Sequence, residues 1–312
     1  MSWEGRILDA GPEPAAAIEN LFVWQLASWP LLRDGLEGLG RARSRAVTVD
    51  GFRLVAWHIP HRIRSTTARV DEASVEKRPC FLCPHNLPRE ERAVALDAAF
   101  VIACNPYPIR ERHVSVLCRE HRPQEILGTS GDFRTMLDLA RALPDYLVLY
   151  NGPECGASAP DHMHFQACRR AGVPLMDHLG RAEGGIIDGY PAGVLVLRDS
   201  DPVALGSAFG RLMMGLGDLV PGAREPMVNV ASVYEGGWWN VLVFPRLRHR
   251  PAAYFSGELT WSPGALDLTG VIVLPVEEDL GRIGAGSIRS ALSEVCLSGA
   301  SIRRLAAELG LP

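Results

Sequence analysis

His162, His164 and Gln166 alternate within the segment 161–166, and this spacing constrains the fold more than any other feature of the chain. Alternate residues of a β-strand point to the same face, so the three polar side chains are predicted to lie side by side. An apolar segment, residues 146–150, and a loop of small residues, 151–158, come before it. The pattern therefore predicts a β-hairpin that places an imidazole beside a loop whose backbone N–H groups can approach an anion.

The run Gly-Ala-Ser-Ala-Pro at 156–160, followed by His-x-His-x-Gln, resembles the active-site signature of the histidine-triad superfamily. The likeness is greatest to the transferase branch, which includes galactose-1-phosphate uridylyltransferase, diadenosine tetraphosphate phosphorylase and the GDP-hexose phosphorylases. The stretch 59–70, which precedes Arg-Pro-Cys-Phe-Leu-Cys, and the stretch 262–279 resemble an uncharacterised bacterial family described as ATP-adenylyltransferase-like. Together the likenesses cover most of the chain. The resemblance implies an α+β fold of two fused histidine-triad-like lobes, with antiparallel sheets flanked by helices.

The resemblance implies that His164 attacks the α-phosphorus of a nucleotide and carries the nucleotidyl group covalently. A neutral imidazole suits this role, because its unprotonated nitrogen is a nucleophile near neutral pH. Gln166 stands where the hydrolytic branch has a third histidine, so transfer to phosphate or a phosphorylated acceptor is favoured over transfer to water. Its amide can donate a hydrogen bond to a phosphate oxygen. Asn151 and Ser158 match family positions that contact phosphate.

Asp161 is an extra residue between the proline and the first histidine, compared with the uridylyltransferases. The GDP-hexose phosphorylases resemble the chain better at this point. We therefore expect a nucleotidyltransferase that phosphorolyses a dinucleoside polyphosphate or a nucleotide sugar. Nucleotidyl exchange between sugar phosphates is the alternative within this chemistry, and a zinc-stabilised nucleotide sensor without turnover is the alternative outside it.

Cys80 and Cys83 form a C-x-x-C pair, which is half of a tetrahedral zinc site. In similar uridylyltransferases the remaining ligands are a histidine some forty residues on and the first histidine of the active-site strand. The matching residues are His121 and His162, and the resemblance implies a structural zinc ion that fixes the catalytic strand. His85 and His113 are rival ligands.

Asn105 and Tyr107 lie between the predicted strands 100–104 and 113–118, where the superfamily binds the ribose and base of the nucleoside. Tyr107 is predicted to stack on a base, and Asn105 to bond the ribose. Pro106 replaces the acidic residue that uridylyltransferases have there, and this departure weakens the case for uridine.

Two groups of basic residues are candidates for phosphate binding. Arg64, with its neighbours Arg62 and Arg69, belongs to a basic stretch before the C-x-x-C pair. Arg246 and His249 belong to a second cluster that follows a predicted strand. Arginine binds phosphate through two parallel hydrogen bonds, although a solvated loop and an exposed strand end explain the two groups equally well.

The second half of the chain weakly repeats the first. Residues 226–234 and 238–246 are predicted strands joined by a glycine turn. Aligning Arg246 with Arg169 places Trp239 opposite His162 and Val241 opposite His164, so the second copy lacks the histidines. We expect an active lobe at residues 1–185 and a degenerate lobe at residues 186–312. Helices are predicted at 14–42, broken at Pro30, and at 132–143 and 286–309. A hairpin is predicted around Asp50 and Gly51.

Composition excludes several classes of protein. The net charge of −4 gives no reason to expect a nucleic-acid partner, and no apolar run approaches the length of a membrane span. Lys77 is the only lysine, which excludes a P-loop. Seven cysteines, an odd number, predict a reducing, cytoplasmic location. The expected partners are a nucleotide or nucleotide sugar and a phosphate or sugar-phosphate acceptor, and similar proteins make a homodimer the expected assembly.

Overall fold

The computed structural model describes residues 3–129, 131–182, 184–219 and 225–311. The strands are β1 (Ile7–Leu8), β2 (Arg43–Val49), β3 (Phe52–His58), β4 (Ala93–Ala95), β5 (Phe100–Cys104), β6 (Val114–Cys118), β7 (Tyr146–Asn151), β8 (His164–Arg169), β9 (Leu195–Asp199), β10 (Val228–Glu235), β11 (Trp238–Pro245) and β12 (Val271–Leu274). The helices are α1 (Pro14–Ser28), α2 (Pro30–Gly40), α3 (Ile63–Thr66), α4 (Glu72–Glu76), α5 (Asp132–Ala142), α6 (Pro202–Leu219), α7 (Ala252–Ser256), α8 (Ala265–Leu268), α9 (Glu277–Arg282), α10 (Ala285–Val295) and α11 (Gly299–Glu308). Among these described helices, none has the length and apolar character needed to span a bilayer.

One nine-stranded sheet organises the molecule, in the order β1-β4-β5-β6-β8-β7-β10-β11-β9. Apart from the short parallel pair β1–β4, its neighbouring strands are antiparallel. A second sheet, β12-β3-β2, contains the hairpin expected around Asp50 and Gly51. The expected mixture of helices with a large antiparallel sheet is confirmed. The sheet runs without interruption through the pair β7–β10, so strands from both predicted lobes share it.

Apolar layers cover the two faces of the large sheet differently. On one face, α1, α5, α6 and α11 pack over a single continuous core. On the other face, the small sheet and the C-terminal helices cover β7, β10 and β11. A separate small cluster covers β4, β5 and β6 on that second face. The second face is therefore covered in two parts, with β8 and the adjoining end of β6 between them.

The alignment of the two hairpins expected from the sequence pairs residues that lie on opposite faces of the sheet. Val241 belongs to the same core as Phe165, whereas Gln166 pairs with Leu149 of the opposite core. That opposite face continues through β10 to Leu242 on β11. A shift of one residue in a strand moves every side chain to the other face. Val241 therefore does not occupy the position that corresponds to His164.

Candidate active site and metal cluster

Polar residues line the gap between the two apolar clusters on the second face of the sheet. Ser115 of β6 pairs with Gln166 of β8, and Leu117 pairs with His164. Strand β8 begins at His164, so His162 precedes it rather than lying within it as predicted. The backbone N–H of Cys118 nevertheless bonds the carbonyl of Met163, which holds the segment before β8 against β6.

The imidazole of His164 is buried and has a defined orientation. Its Nδ1 lies 2.8 Å from the carbonyl oxygen of His162, so Nδ1 carries the proton and donates it. The buried amide of Gln124 accepts from the His164 N–H at 2.7 Å and donates to its carbonyl at 2.9 Å. Burial lowers the pKa of His164. The lone pair is therefore on Nε2, and both the ring and the backbone of His164 are fixed.

Gln166 is oriented by His113. The N–H of Ile109 donates to Nδ1 of His113, which leaves the proton on Nε2, 2.8 Å from Oε1 of Gln166. Burial and the nearby positive charge of Arg62 lower the pKa of His113 to about 3, so it stays neutral. Since the amide oxygen of Gln166 is occupied, its NH₂ group is left to donate into the cavity described below.

A chain of hydrogen bonds orients Asn151 in the same way. Arg246 donates to Oδ1 of Asn229, whose Nδ2 group donates to Oδ1 of Asn151 at 2.8 Å. The N–H of Ala265 donates to the same oxygen at 2.7 Å. The amide oxygen of Asn151 is thus fully occupied, and its NH₂ group is the part available to a ligand.

Arg246 lines neither of the two cavities described below, contrary to the prediction that it binds substrate. It is only 3% exposed, and its guanidinium donates to protein acceptors throughout: the side chain of Asn229 and the carbonyls of Arg248, His249, Pro263 and Val295. With its donors engaged, it acts on the site through Asn229 and Asn151. Its neighbour His249 does line a cavity.

The larger of two cavities at this site has a volume of about 460 Å³. His164, Gln166 and Ser158 line it, as do three other predicted residues: Asn105, Tyr107 and Arg64. Asn105 donates to Ser115 and accepts from the N–H of Tyr107, which shapes the turn after β5. Arg64 donates to the hydroxyl of Tyr107 at 2.7 Å. The predicted nucleoside-binding residues therefore lie on the same cavity as the predicted nucleophile.

A smaller, polar cavity of about 60 Å³ adjoins the first. The two share a boundary formed by Arg62, Ser65, Ser158 and Gln166, and the smaller one is also lined by Asn151, the loop 156–158, Ser262, His249 and Arg250. Burial lowers the pKa of Arg62 to about 10, so it remains cationic at neutral pH. Two arginines, Arg62 and Arg250, outnumber the one acid in its wall, Asp267, and together with the other donors they suit a small anion.

Gly156 allows two loops to approach each other beside this small cavity. Its φ of +96° lies in the region that favours glycine, and an added Cβ would lie 3.1 Å from Cα of Gly264. Ala157 and Ser158 follow directly, so the position of the Ser158 hydroxyl depends on this contact.

Cys80, Cys83, His121 and His162 form a cluster that can hold a metal ion. Their ligand atoms all lie within 4.8 Å of one another. Sγ of Cys80 is 3.4 Å from Nδ1 of His162, and Sγ of Cys83 is 3.3 Å from Nδ1 of His121. Adjacent ligands of a tetrahedral zinc ion lie roughly 3.3–3.8 Å apart, given its usual bond lengths. The donor set and its spacing thus fit zinc.

His162 connects this cluster to the sheet. Its Nε2 donates to the carbonyl of Cys118 at 2.8 Å, which leaves Nδ1 free to face the two sulfurs. Such a bond fixes the ring and the nitrogen that can coordinate a metal. The cluster does not include the two rival ligands: His113 contacts Gln166, and His85 is not among the residues whose ligand atoms come together. His162 is two residues from His164, so the cluster and the nucleophile share one short segment.

No pattern in the sequence singles out Gln124, Asn229 or Glu91. Gln124 and Asn229 are isolated amides in the sequence, and only their complete burial identifies them. Glu91 is part of a charged run that predicts a solvated surface, yet it lines the larger cavity. His113 was noticed at the start of a strand, but its contact with Gln166 depends on the pairing of β6 with β8.

Comparisons with known proteins support the fold. Residues 21–169 match the model of a domain of unknown function, DUF4922. The structure is similar to yeast Ap4A phosphorylase Apa2 in complex with Ap4A, with a TM-score of 0.64 and 18% identity over 90% of this chain and 96% of that chain. The corresponding values for Apa2 solved alone are a TM-score of 0.62, 16% identity, and coverage of 86% and 97%. For Apa2 in complex with AMP, the TM-score is 0.62 and the identity is 18%, over 89% of this chain and 94% of that chain. No curated protein matches in sequence.

Proposed function

We propose that this protein is a nucleotidyltransferase that phosphorolyses a dinucleoside polyphosphate or a nucleotide sugar through a covalent nucleotidyl-histidine. The observation that carries this proposal is the orientation of His164. Its Nδ1 proton is donated to a carbonyl, so Nε2 is the nucleophile, on the wall of a cavity large enough for a nucleoside. The shared fold with Apa2, which is described as an Ap4A phosphorylase, supports the same chemistry.

The reaction proceeds in two displacements. In the first, Nε2 of His164 forms a bond to the α-phosphorus, and the bond from that phosphorus to the bridging oxygen breaks. The leaving group is a nucleoside polyphosphate or a sugar 1-phosphate. In the second, an oxygen of inorganic phosphate attacks the same phosphorus, the P–N bond breaks, and a nucleoside diphosphate leaves. The Nδ1 hydrogen bond to His162 stabilises the imidazolium that exists between the two steps.

Three donors are placed to stabilise charge on the transferred phosphoryl group: the amide of Gln166, the amide of Asn151 and the hydroxyl of Ser158. His113 and Asn229 hold the two amide oxygens, so both NH₂ groups face the ligand before it binds. Donors that are fixed in advance need no reorganisation in the transition state, and this gives them their effect on rate.

The small polar cavity is the proposed site of the acceptor. Arg62, Arg250 and His249 surround a volume of about 60 Å³, which favours inorganic phosphate over a sugar phosphate. It meets the larger cavity at Ser158 and Gln166, so an acceptor there lies next to the transferred group. We therefore prefer phosphorolysis to exchange between sugar phosphates.

Cys80, Cys83, His121 and His162 are proposed to hold a structural zinc ion. Bound there, the ion supplies rigidity rather than Lewis-acid catalysis, because the cluster offers four protein ligands and leaves no position open for substrate. His162 carries that rigidity to the carbonyl that accepts from His164.

The division into an active lobe at 1–185 and a degenerate lobe at 186–312 is also part of this proposal, as are a cytoplasmic location and a homodimer. The second hairpin of the sheet has no histidine in residues 226–245, which is consistent with one active site per chain.

Product analysis tests the proposed reaction. Purified protein is incubated with diadenosine tetraphosphate, ADP-glucose, GDP-mannose or UDP-glucose, with and without phosphate, and nucleotides are separated by chromatography. We expect a nucleoside diphosphate that forms only with phosphate, and no product from His164→Ala. His58→Ala, which alters a histidine outside both cavities, serves as the matched control. Release of a nucleoside monophosphate at a rate independent of phosphate would instead identify a hydrolase.

A further inference from the structure

Much of the wall of the larger cavity is apolar. Six of its residues have apolar side chains: Trp29, Leu31, Phe81, Leu82, Leu87 and Cys104. A planar base is accommodated by surroundings of this kind, with aromatic and aliphatic side chains against its faces. The carboxyl group of Glu91 is the one acid among the described residues that line this cavity.

Glu91 has no polar partner of its own within the described part of the chain. It is 8% exposed, and its carboxyl makes no ion pair or side-chain hydrogen bond there. Arg6, whose charge acts on this carboxyl, donates instead to the backbone carbonyls of Leu87, Pro88 and Glu91. Glu91 is among the residues that line the larger cavity, and neither of its carboxyl oxygens is fully enclosed by protein. A buried polar group in this position requires a partner, and a ligand can supply one.

We propose that Glu91 determines the base specificity of this cavity by pairing with N1 and the 6-amino group of adenine, an assignment that rests on the proposed function. A protonated carboxyl presents a donor and an acceptor side by side, which complements the acceptor N1 and the donor 6-amino group. Beyond these two atoms the same edge of adenine carries only C2–H. Guanine adds a 2-amino group and the pyrimidines add O2, and each would be buried without a partner among apolar side chains.

The charge state of Glu91 is consistent with this pairing. Burial raises its pKa to about 8, while the charge of Arg6 acts in the opposite direction. The carboxyl is thus mainly protonated at neutral pH. An ionised carboxylate would present two acceptors and would suit the two adjacent donors of guanine instead.

Calorimetric titration with AMP and with purine riboside 5′-monophosphate, which lacks the 6-amino group, tests the pairing on the unmodified protein. We expect AMP to bind roughly tenfold more tightly, the value of about one hydrogen bond. GMP and UMP are expected to bind more weakly than AMP. Glu91→Gln keeps a donor and an acceptor and should retain the AMP preference, whereas Glu91→Leu should bring the ratio close to one.

Equal binding of AMP and purine riboside 5′-monophosphate to the unmodified protein would overturn the assignment of Glu91, and so would an unchanged ratio in a folded Glu91→Leu. In either case the proposed function stands, because the nucleotides still bind. If none of the four nucleotides bound, the nucleotide cavity itself would be refuted, and both proposals would fail together.

Discussion

Two neighbouring hairpins of the same sheet are built for different purposes. The catalytic hairpin, β7–β8, has the long connection 152–163, whereas the packing hairpin, β10–β11, turns at Gly236 and Gly237. On the face where the catalytic hairpin carries His164 and Gln166, the packing hairpin carries the buried Leu242. The reactive groups thus lie where the apolar cover of this face is interrupted. Where that cover is continuous, the same kind of hairpin contributes to stability instead.

The contrast also explains why the reactive groups are so firmly held. Gln124, His113 and the chain from Arg246 through Asn229 each fix a side chain or backbone group of the catalytic hairpin. Apolar packing alone does not orient an imidazole or an amide, because it does not distinguish nitrogen from oxygen. The hydrogen-bonded partners are therefore needed only at the catalytic hairpin.

The largest expected effects come from replacing one buried side chain of each hairpin by alanine. His164→Ala should lower kcat by at least about 10³-fold with little loss of stability, because it removes the nucleophile. Leu242→Ala should cost about 3 kcal/mol of unfolding free energy, since it leaves a cavity in the core. Its kcat per folded molecule should be unchanged. Steady-state rates and chemical denaturation measure the two effects, and loss of turnover in folded Leu242→Ala would break the comparison.

Removal of the metal should have the next largest effect. Cys83→Ala is expected to lose bound zinc, to lower the melting temperature and to reduce turnover, because the cluster holds the segment that leads to His164. Cys168→Ala, at a buried cysteine outside the cluster, is the matched control and should keep its zinc. Elemental analysis and thermal melts report the result. Zinc content equal in both variants would exclude the cluster as the metal site.

Gln166→Ala is expected to lower kcat by about 10²-fold, the usual loss for one donor to a developing oxyanion. His113→Ala should lower it by a smaller factor, because His113 acts only by orienting Gln166. In the double variant the His113 change should add almost nothing, since its effect passes through Gln166. Fully additive effects on log kcat would show that His113 acts independently.

Two glycines provide the smallest and most selective test. Gly156→Ala and Gly237→Ala both place a side chain at positive φ and should each cost about 1–2 kcal/mol. A Cβ at Gly237 meets nothing within 4 Å, whereas at Gly156 it presses on Gly264 beside Ser158. Only Gly156→Ala should therefore raise the KM for phosphate. Equal kinetic effects in the two variants would remove the functional distinction between the turns.

Local patterns predicted much of this fold. Pro30 separates α1 from α2, and the turn at Asp50 and Gly51 joins β2 to β3, as expected from the sequence. The predicted helix at 286–309 is instead two helices, because Ser298 begins a new one by accepting from the N–H of Ser301. A capping serine is difficult to recognise within an otherwise helical pattern of apolar residues.

Contacts between distant segments could not be predicted in this way. In the metal cluster, the two cysteines follow from a motif and the two histidines from a family resemblance. The acceptors around Arg246, in contrast, come from several separate parts of the chain. A sequence shows a basic residue after a strand and does not reveal that it is buried. Glu91 shows the same error, since its charged neighbours indicate a solvated surface and the tertiary packing buries it.

Intact-mass spectrometry of the protein mixed with a nucleotide donor, in the absence of phosphate, tests the central claim most directly. We predict an increase equal to one nucleoside monophosphate, which disappears when phosphate is added and never forms in His164→Ala. A protein that turns over the donor without forming this adduct, or an adduct that persists in His164→Ala, would contradict the assignment of His164 as the nucleophile.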